Sequence, residues 1–218
     1  DEEIRKNAHF IELNLSSFNS VENFIEIFKK KFDKLDILVN NEALMNQNFK
    51  LSIDKIEETL QVNLFSSIFL TLSLLDLIKK SNGKIVNLTA KIFAIFQKDK
   101  NFFDNLKVGE YDFEEKNYSG LKQYGFSKLG NLWFSNYLHE NGIRSAVADP
   151  GVVSTGITRN FNSLFWRIFK ILRYPFFKLF SKSEEMGAQA ILHLVYAENN
   201  DFKSGGYYVS NKLKEINP

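Results

Sequence analysis

The sequence predicts an α/β fold, a doubly wound parallel sheet with helices on both faces. Short apolar runs suited to buried strands alternate with segments whose apolar residues recur at helical spacing. Most breaks between them fall at Asn, Gly, Ser or Pro. The polar residues with chemical potential cluster just past strand ends, where open α/β sheets bind ligands. With 218 residues, 44% hydrophobic, the chain suits one domain with a sizeable core, and neither a repeat nor a linker divides residues 1–218.

In order, His9 to Leu15 alternates like a strand, centred near Phe10 to Leu15. Ser16-Ser17 opens a helix over Val21 to Phe32, with Val21, Phe24, Ile25, Phe28 and Phe32 on one face. Leu35 to Val39 is an apolar run suited to a buried parallel strand, stopping at Asn40-Asn41. A helix is expected from Ile53 to Lys80, ended by Asn82-Gly83, and then a strand from Lys84 to Thr89. After an irregular charged stretch, Lys98 to Lys116, a helix carries Tyr124 and Lys128 to about Glu140. Ile143 to Ala148 is a strand running into Asp149-Pro150-Gly151. Ser183 caps a helix to about Ala197, and Gly205 to Val209 is a final strand.

Composition excludes several classes. A net charge of +2 argues against a nucleic-acid partner. Absence of cysteine excludes disulfides and thiolate chemistry and fits a reducing compartment. Three scattered histidines, His9, His139 and His193, give no metal site. No apolar run reaches the ~18–20 residues of a membrane span, and the first residues, starting at Asp1, show no signal peptide.

Two stretches remain. Tyr124 and Lys128 lie four apart, on one helical face, where a fixed ammonium eases deprotonation of a phenol and lets the pair pass a proton to or from an alcohol or carbonyl. The same spacing also describes an aromatic packed on a lysine stem. From Arg159 to Lys182, six cations are interleaved with aromatic and aliphatic residues and no acid occurs. That pattern predicts contact with an anionic membrane surface or a partner's groove, with a lid over a ligand as the alternative.

In this order, Leu35-Asp-Ile-Leu-Val-Asn-Asn41, Val62-Asn63-Leu64, Lys84-Ile-Val-Asn87, Tyr124-x-x-x-Lys128 and Pro150-Gly-Val-Val-Ser-Thr155 resemble the short-chain dehydrogenase/reductase family, within it the retinol-dehydrogenase-like and WW-domain-oxidoreductase-like group. The resemblance implies a Rossmann-like sheet and an NAD(P) cofactor. It makes Tyr124 the general acid/base, with Lys128 holding the nicotinamide ribose and lowering the Tyr124 pKa. Asn63 would anchor a proton-relay water. Asn14, Asn40, Asn41, Pro150, Gly151 and Thr155 fall at cofactor positions, Thr155 against the carboxamide. It also implies a lid, over a lipophilic substrate, at residues 159–182.

Departures from the family pattern shape the expected function. The catalytic serine position is Ala90, and Thr89 faces the other way on an extended strand. Glu42 stands where the family has a small residue against the cofactor. The first β-α-β segment, with its glycine-rich phosphate turn, has no counterpart in this chain, which predicts an incomplete sheet open between its first and second strands. Another chain, an upstream segment or repacking must fill the gap. The expectation is therefore a catalytically impaired relative serving as a structural or accessory subunit of a larger, membrane-associated assembly. It would be intracellular, in mitochondrion or endoplasmic reticulum. The alternative is an active oxidoreductase of a lipophilic alcohol or carbonyl.

Overall fold

The computed structural model describes residues 6–96, 118–153, 181–198 and 201–215, and these form one five-stranded sheet in the order β1-β2-β3-β4-β5. β1 (Ile37–Asn40), β2 (Lys84–Leu88), β3 (Arg144–Asp149) and β4 (Tyr207–Val209) run parallel. β5 (Lys212–Lys214), which the sequence reading missed, turns back antiparallel on β4. Ser210 and Asn211, at φ 48° and 67°, make the two-residue turn whose twist suits such a hairpin.

Alternation along the strands supplies both layers of core. Val86, Ala146 and Ala148 face Leu194 of one helix, while Ile85 packs on Ile78, Phe134 and Leu138 on the other side, and Val147 on Leu129 and Leu132. These helices are α1 (Phe18–Lys31), α2 (Glu58–Leu60), α3 (Ser66–Ser73), α4 (Leu75–Lys80), α5 (Phe93–Phe96), α6 (Gly120–Glu140) and α7 (Glu184–Tyr196).

The segment expected as a first strand, Phe10 to Leu15, forms no ladder. A strand needs a neighbouring backbone, and no strand among the described residues lies beside it. Phe10 is 93% exposed, and only Leu13 and Leu15 pack, against the cluster of Val21, Leu70, Leu74 and Leu77. In consequence β1, expected as a buried strand, is an outer strand among the described residues, and all four of its residues are half-buried.

The helix expected from Ile53 starts only at Glu58, because Lys55 (φ 61°) and a Leu51–Glu57 bridge hold a tight loop before it. Buried Glu57 caps it, accepting from the Thr59 and Leu60 amides and from the Tyr118 hydroxyl at 2.8 Å. Between α2 and α3 the chain makes a π turn, Gln61–Phe65, and it breaks again at Leu74 (φ −101°) before α4. The upstream part packs against α6 and the downstream part against α1.

Ser119 caps α6, accepting from the Lys122 amide. Its first residue must be glycine: a Cβ on Gly120 would lie 1.7 Å from the Asn46 carbonyl oxygen. Of the basic aromatic stretch 159–182, all but Ser181 and Lys182 lie outside the described residues, as does 98–116.

Candidate active site

Helix α6 is fastened to the end of β2 by three contacts. The Thr89 hydroxyl donates to the Lys128 carbonyl (2.8 Å), and Asn131 Nδ2 and Lys128 Nζ both donate to the Leu88 carbonyl, at 3.0 and 3.3 Å. This fixes Lys128, 2% exposed, with its ammonium 5.5 Å from the Tyr124 ring centroid. Both side chains line a cavity of about 810 Å³ at the carboxyl ends of the strands, walled by Leu44, Met45, Ile92, Val153 and Ile191.

Burial governs the ionisation of the pair. It pushes the Tyr124 phenol up to about 12, with the Asp149 charge adding to the rise. It takes the Lys128 ammonium down to about 8, against the charges of Glu42 and Asp149, which raise it. Removal from water makes each group harder to charge, so the phenol lies above its ordinary value, where the sequence led us to expect it below.

Ala90 lines the cavity and offers no hydroxyl there. Thr89, whose hydroxyl is held by the Lys128 carbonyl, does not replace it. Glu42 is exposed at the cavity, where its carboxylate meets the field of Lys128. Asn41, Pro150 and Gly151 also line it, Gly151 in the left-handed region at φ 79°. Thr155 lies outside the described residues.

Three predicted site residues are engaged elsewhere. Asn63, in the π turn, accepts from the Leu44 amide (2.7 Å) and donates to the Leu44 carbonyl (2.8 Å) and to the Ser127 hydroxyl (3.0 Å). It therefore holds the 42–45 wall of the cavity to α6. Asn40 donates to Asn87 Oδ1 (2.8 Å) and Thr71 Oγ1 (3.0 Å), inside the sheet layer. Asn14 accepts from the Ser16 amide and hydroxyl in a local turn before α1, and it does not line the cavity.

Asp149, which the sequence placed among the candidates past a strand end without giving it a role, is 1% exposed and acts on both Tyr124 and Lys128. The available signal was its place between a strand and Pro150-Gly151. Its Oδ2 accepts from the Tyr207 hydroxyl at 2.8 Å; burial first, then that carboxylate, pushes the Tyr207 phenol well above its ordinary value.

These features define a Rossmann-like α/β protein with a half-buried tyrosine and a buried lysine paired at a strand-end cavity. The profile of the family described as short chain dehydrogenase matches residues 1–93. Retinol dehydrogenase 12 of Mus musculus is 34% identical over 204 residues, covering 90% of this chain and 59% of that protein. The WW domain-containing oxidoreductase of Gallus gallus is 30% identical over 201 residues, covering 90% and 47%. The chain therefore spans roughly half the length of these relatives. A short-chain dehydrogenase/reductase structure from Saccharomyces cerevisiae superposes with TM-score 0.65 at 17% identity, over 97% of this chain and 81% of that one. A carbonyl reductase from chicken fatty liver, solved with NADPH bound, gives TM-score 0.61 at 17% identity, over 99% and 82%. The chain belongs to the short-chain dehydrogenase/reductase family of oxidoreductases, with the retinol-dehydrogenase-like group among its relatives.

Proposed function

We propose that this chain carries the reacting half of a nicotinamide-dependent oxidoreductase for a lipophilic alcohol or carbonyl. The observation that carries the reading is the placement of Tyr124 and Lys128 together in one largely apolar cavity of about 810 Å³. The donors there suit the nicotinamide–ribose end of the cofactor: the Lys128 ammonium and Tyr124 hydroxyl for ribose hydroxyls, and the Pro150–Gly151 turn for close backbone approach. Glycine-rich phosphate turns are not encoded in these 218 residues, so the pyrophosphate would meet a further β-α-β segment, from upstream or another chain, alongside β1, the outer strand among the described residues.

When bound, the nicotinamide supplies or accepts the hydride. In reduction, Tyr124 donates its proton to the carbonyl oxygen as charge develops there, and the fixed Lys128 ammonium stabilises the phenolate left behind. The apolar walls select a lipophilic substrate and exclude water. Without a hydroxyl at position 90, the substrate oxygen has one orienting donor fewer. Ala90, with Thr89 turned onto α6, favours the second reading, a structural subunit with residual or no turnover.

The full-length protein, assayed with NADPH or NADH and a retinal-like aldehyde, is expected to turn over slowly. Tyr124→Phe should lower the rate by ~10²-fold or more, and Ala90→Ser should raise it. No turnover by either wild type or Ala90→Ser sinks the catalytic reading in favour of the structural one. For the 159–182 stretch, binding to anionic but not neutral liposomes is the expected result, and indifference to lipid charge removes the membrane role.

A further inference from the structure

Asp149 ends β3 and is 1% exposed. Strand alternation puts it on the same face as Val147, which packs on Leu129 and Leu132 of α6, so it faces the helix carrying Tyr124 and Lys128. The ladder register tightens this. Leu88, whose carbonyl receives the Lys128 ammonium, pairs with Ala148, which places Asp149 one residue further on the adjacent strand.

Both carboxylate oxygens have neutral partners. Oδ1 accepts from the Gly151 amide at 2.8 Å, which holds the left-handed turn under the cavity, and Oδ2 accepts from the Tyr207 hydroxyl at 2.8 Å. Neither cancels its charge, and a buried carboxylate without a counter-charge is costly. Among the described residues, Lys128 is the buried cation on that face. The other charged or titratable groups around it are Tyr124 on its own helix, Glu42 after β1, Glu184 at the start of α7, and Tyr207 behind Asp149. Lys182 also reaches the turn, donating to the Pro150 carbonyl at 3.0 Å.

We infer that Asp149 is a positioning residue for the Tyr124–Lys128 pair, holding Lys128 in its charged form and fixing the Pro150–Gly151 turn. The inference rests on the reading of that pair as the reacting pair. A lysine that stabilises a phenolate must be an ammonium when the proton leaves Tyr124. Burial drives Lys128 down to about 8; the Glu42 charge opposes that fall first and the buried Asp149 carboxylate next. Asparagine at 149 keeps the shape and an acceptor for Gly151 while removing the charge.

The test uses the full-length protein labelled with ¹³C at lysine Cε, the Lys128 signal being identified by its loss in Lys128→Met. The wild-type midpoint is expected near 8, and Asp149→Asn should lower it by about one pH unit. Tyr207→Phe, which keeps the carboxylate, should not lower it. An unchanged midpoint in folded Asp149→Asn overturns the inference. A second measurement needs no variant at 149: the Asp149 carboxyl ¹³C shift of wild type should step at the pH where Lys128 titrates and lose that step in Lys128→Met. No step in wild type also overturns it. If Tyr124→Phe leaves carbonyl reduction intact while the Lys128 midpoint still follows Asp149, the electrostatic role stands and only the reacting-pair reading falls.

Discussion

Among the described residues, β5 ends the sheet on one side with Lys212, Leu213 and Lys214, all exposed; β1 ends it on the other with Ile37, Leu38, Val39 and Asn40, all half-buried. Lysines at an outer strand discourage further pairing, so β5 is made to be an edge. β1 has no charged residue, and its side chains extend the core of both faces, Leu38 toward Ile85 and Phe134 and Val39 toward Val86 and Leu194. It is built like an interior strand. A polar ladder also anchors it: Thr71, Asn40, Asn87, Ser145 and Ser135 are joined by hydrogen bonds of 2.8 to 3.3 Å across three strands. The difference teaches that an outer position in a sheet does not make a strand an edge in its chemistry.

Substitutions that put charge on each edge should separate the two most sharply. Val39→Asp sets a carboxylate against the Val86–Leu194 core and should cost about 3 kcal/mol, read from the urea midpoint. Asn87→Ala comes next. It leaves the Asn40 amide and the Ser145 hydroxyl each short of a partner and should cost about 2 kcal/mol, with faster amide exchange in β1 than in β4. A third test uses pH. Between about 8 and Lys128's ordinary 10.5, the unfolded chain holds a proton that the folded chain has lost, so stability should rise with pH in that window relative to Lys128→Met. From about 10 to 12 Tyr124 contributes the opposite slope, read relative to Tyr124→Phe, because the folded phenol keeps its proton up to about 12 while the unfolded phenol has lost it. The smallest effect is at the other edge, where Leu213→Lys should change stability by less than about 0.5 kcal/mol. A large loss there would erase the contrast.

Strands Lys84–Leu88 and Arg144–Asp149 were legible because both faces of each are largely buried and each carries a short apolar run, Ile85-Val86 and Ala146-Val147-Ala148, bounded by turn residues. The Tyr124–Lys128 pair was legible from helical spacing only together with the order of the surrounding motifs, and Ala90 from comparison with the family pattern. Phe10 to Leu15 misled because alternation records a strand's side chains but not the neighbour it must pair with. The roles of Asn40 and Asn63 were hidden for a related reason. An amide's partner depends on register and helix packing, here with Asn87, Thr71 and Leu44, and local sequence carries none of these. Asp149 was placed past a strand end but given no role, because its partners, the Tyr207 hydroxyl 58 positions away among them, are set by the fold.

The π turn at Gln61–Phe65 amounts to one residue inserted into an otherwise regular rod. Each residue of an α-helix advances about 100° around its axis, so the turn sets the halves of the rod out of phase by that amount. One half can then address α6 and the other α1. A single-residue deletion within 61–65 would swing Thr71 off Asn40 while leaving composition and hydropathy nearly untouched. Relatives with a one-residue gap there should therefore lack the Thr71–Asn40 contact, a rule about insertions and deletions that a comparison of point substitutions would never reveal.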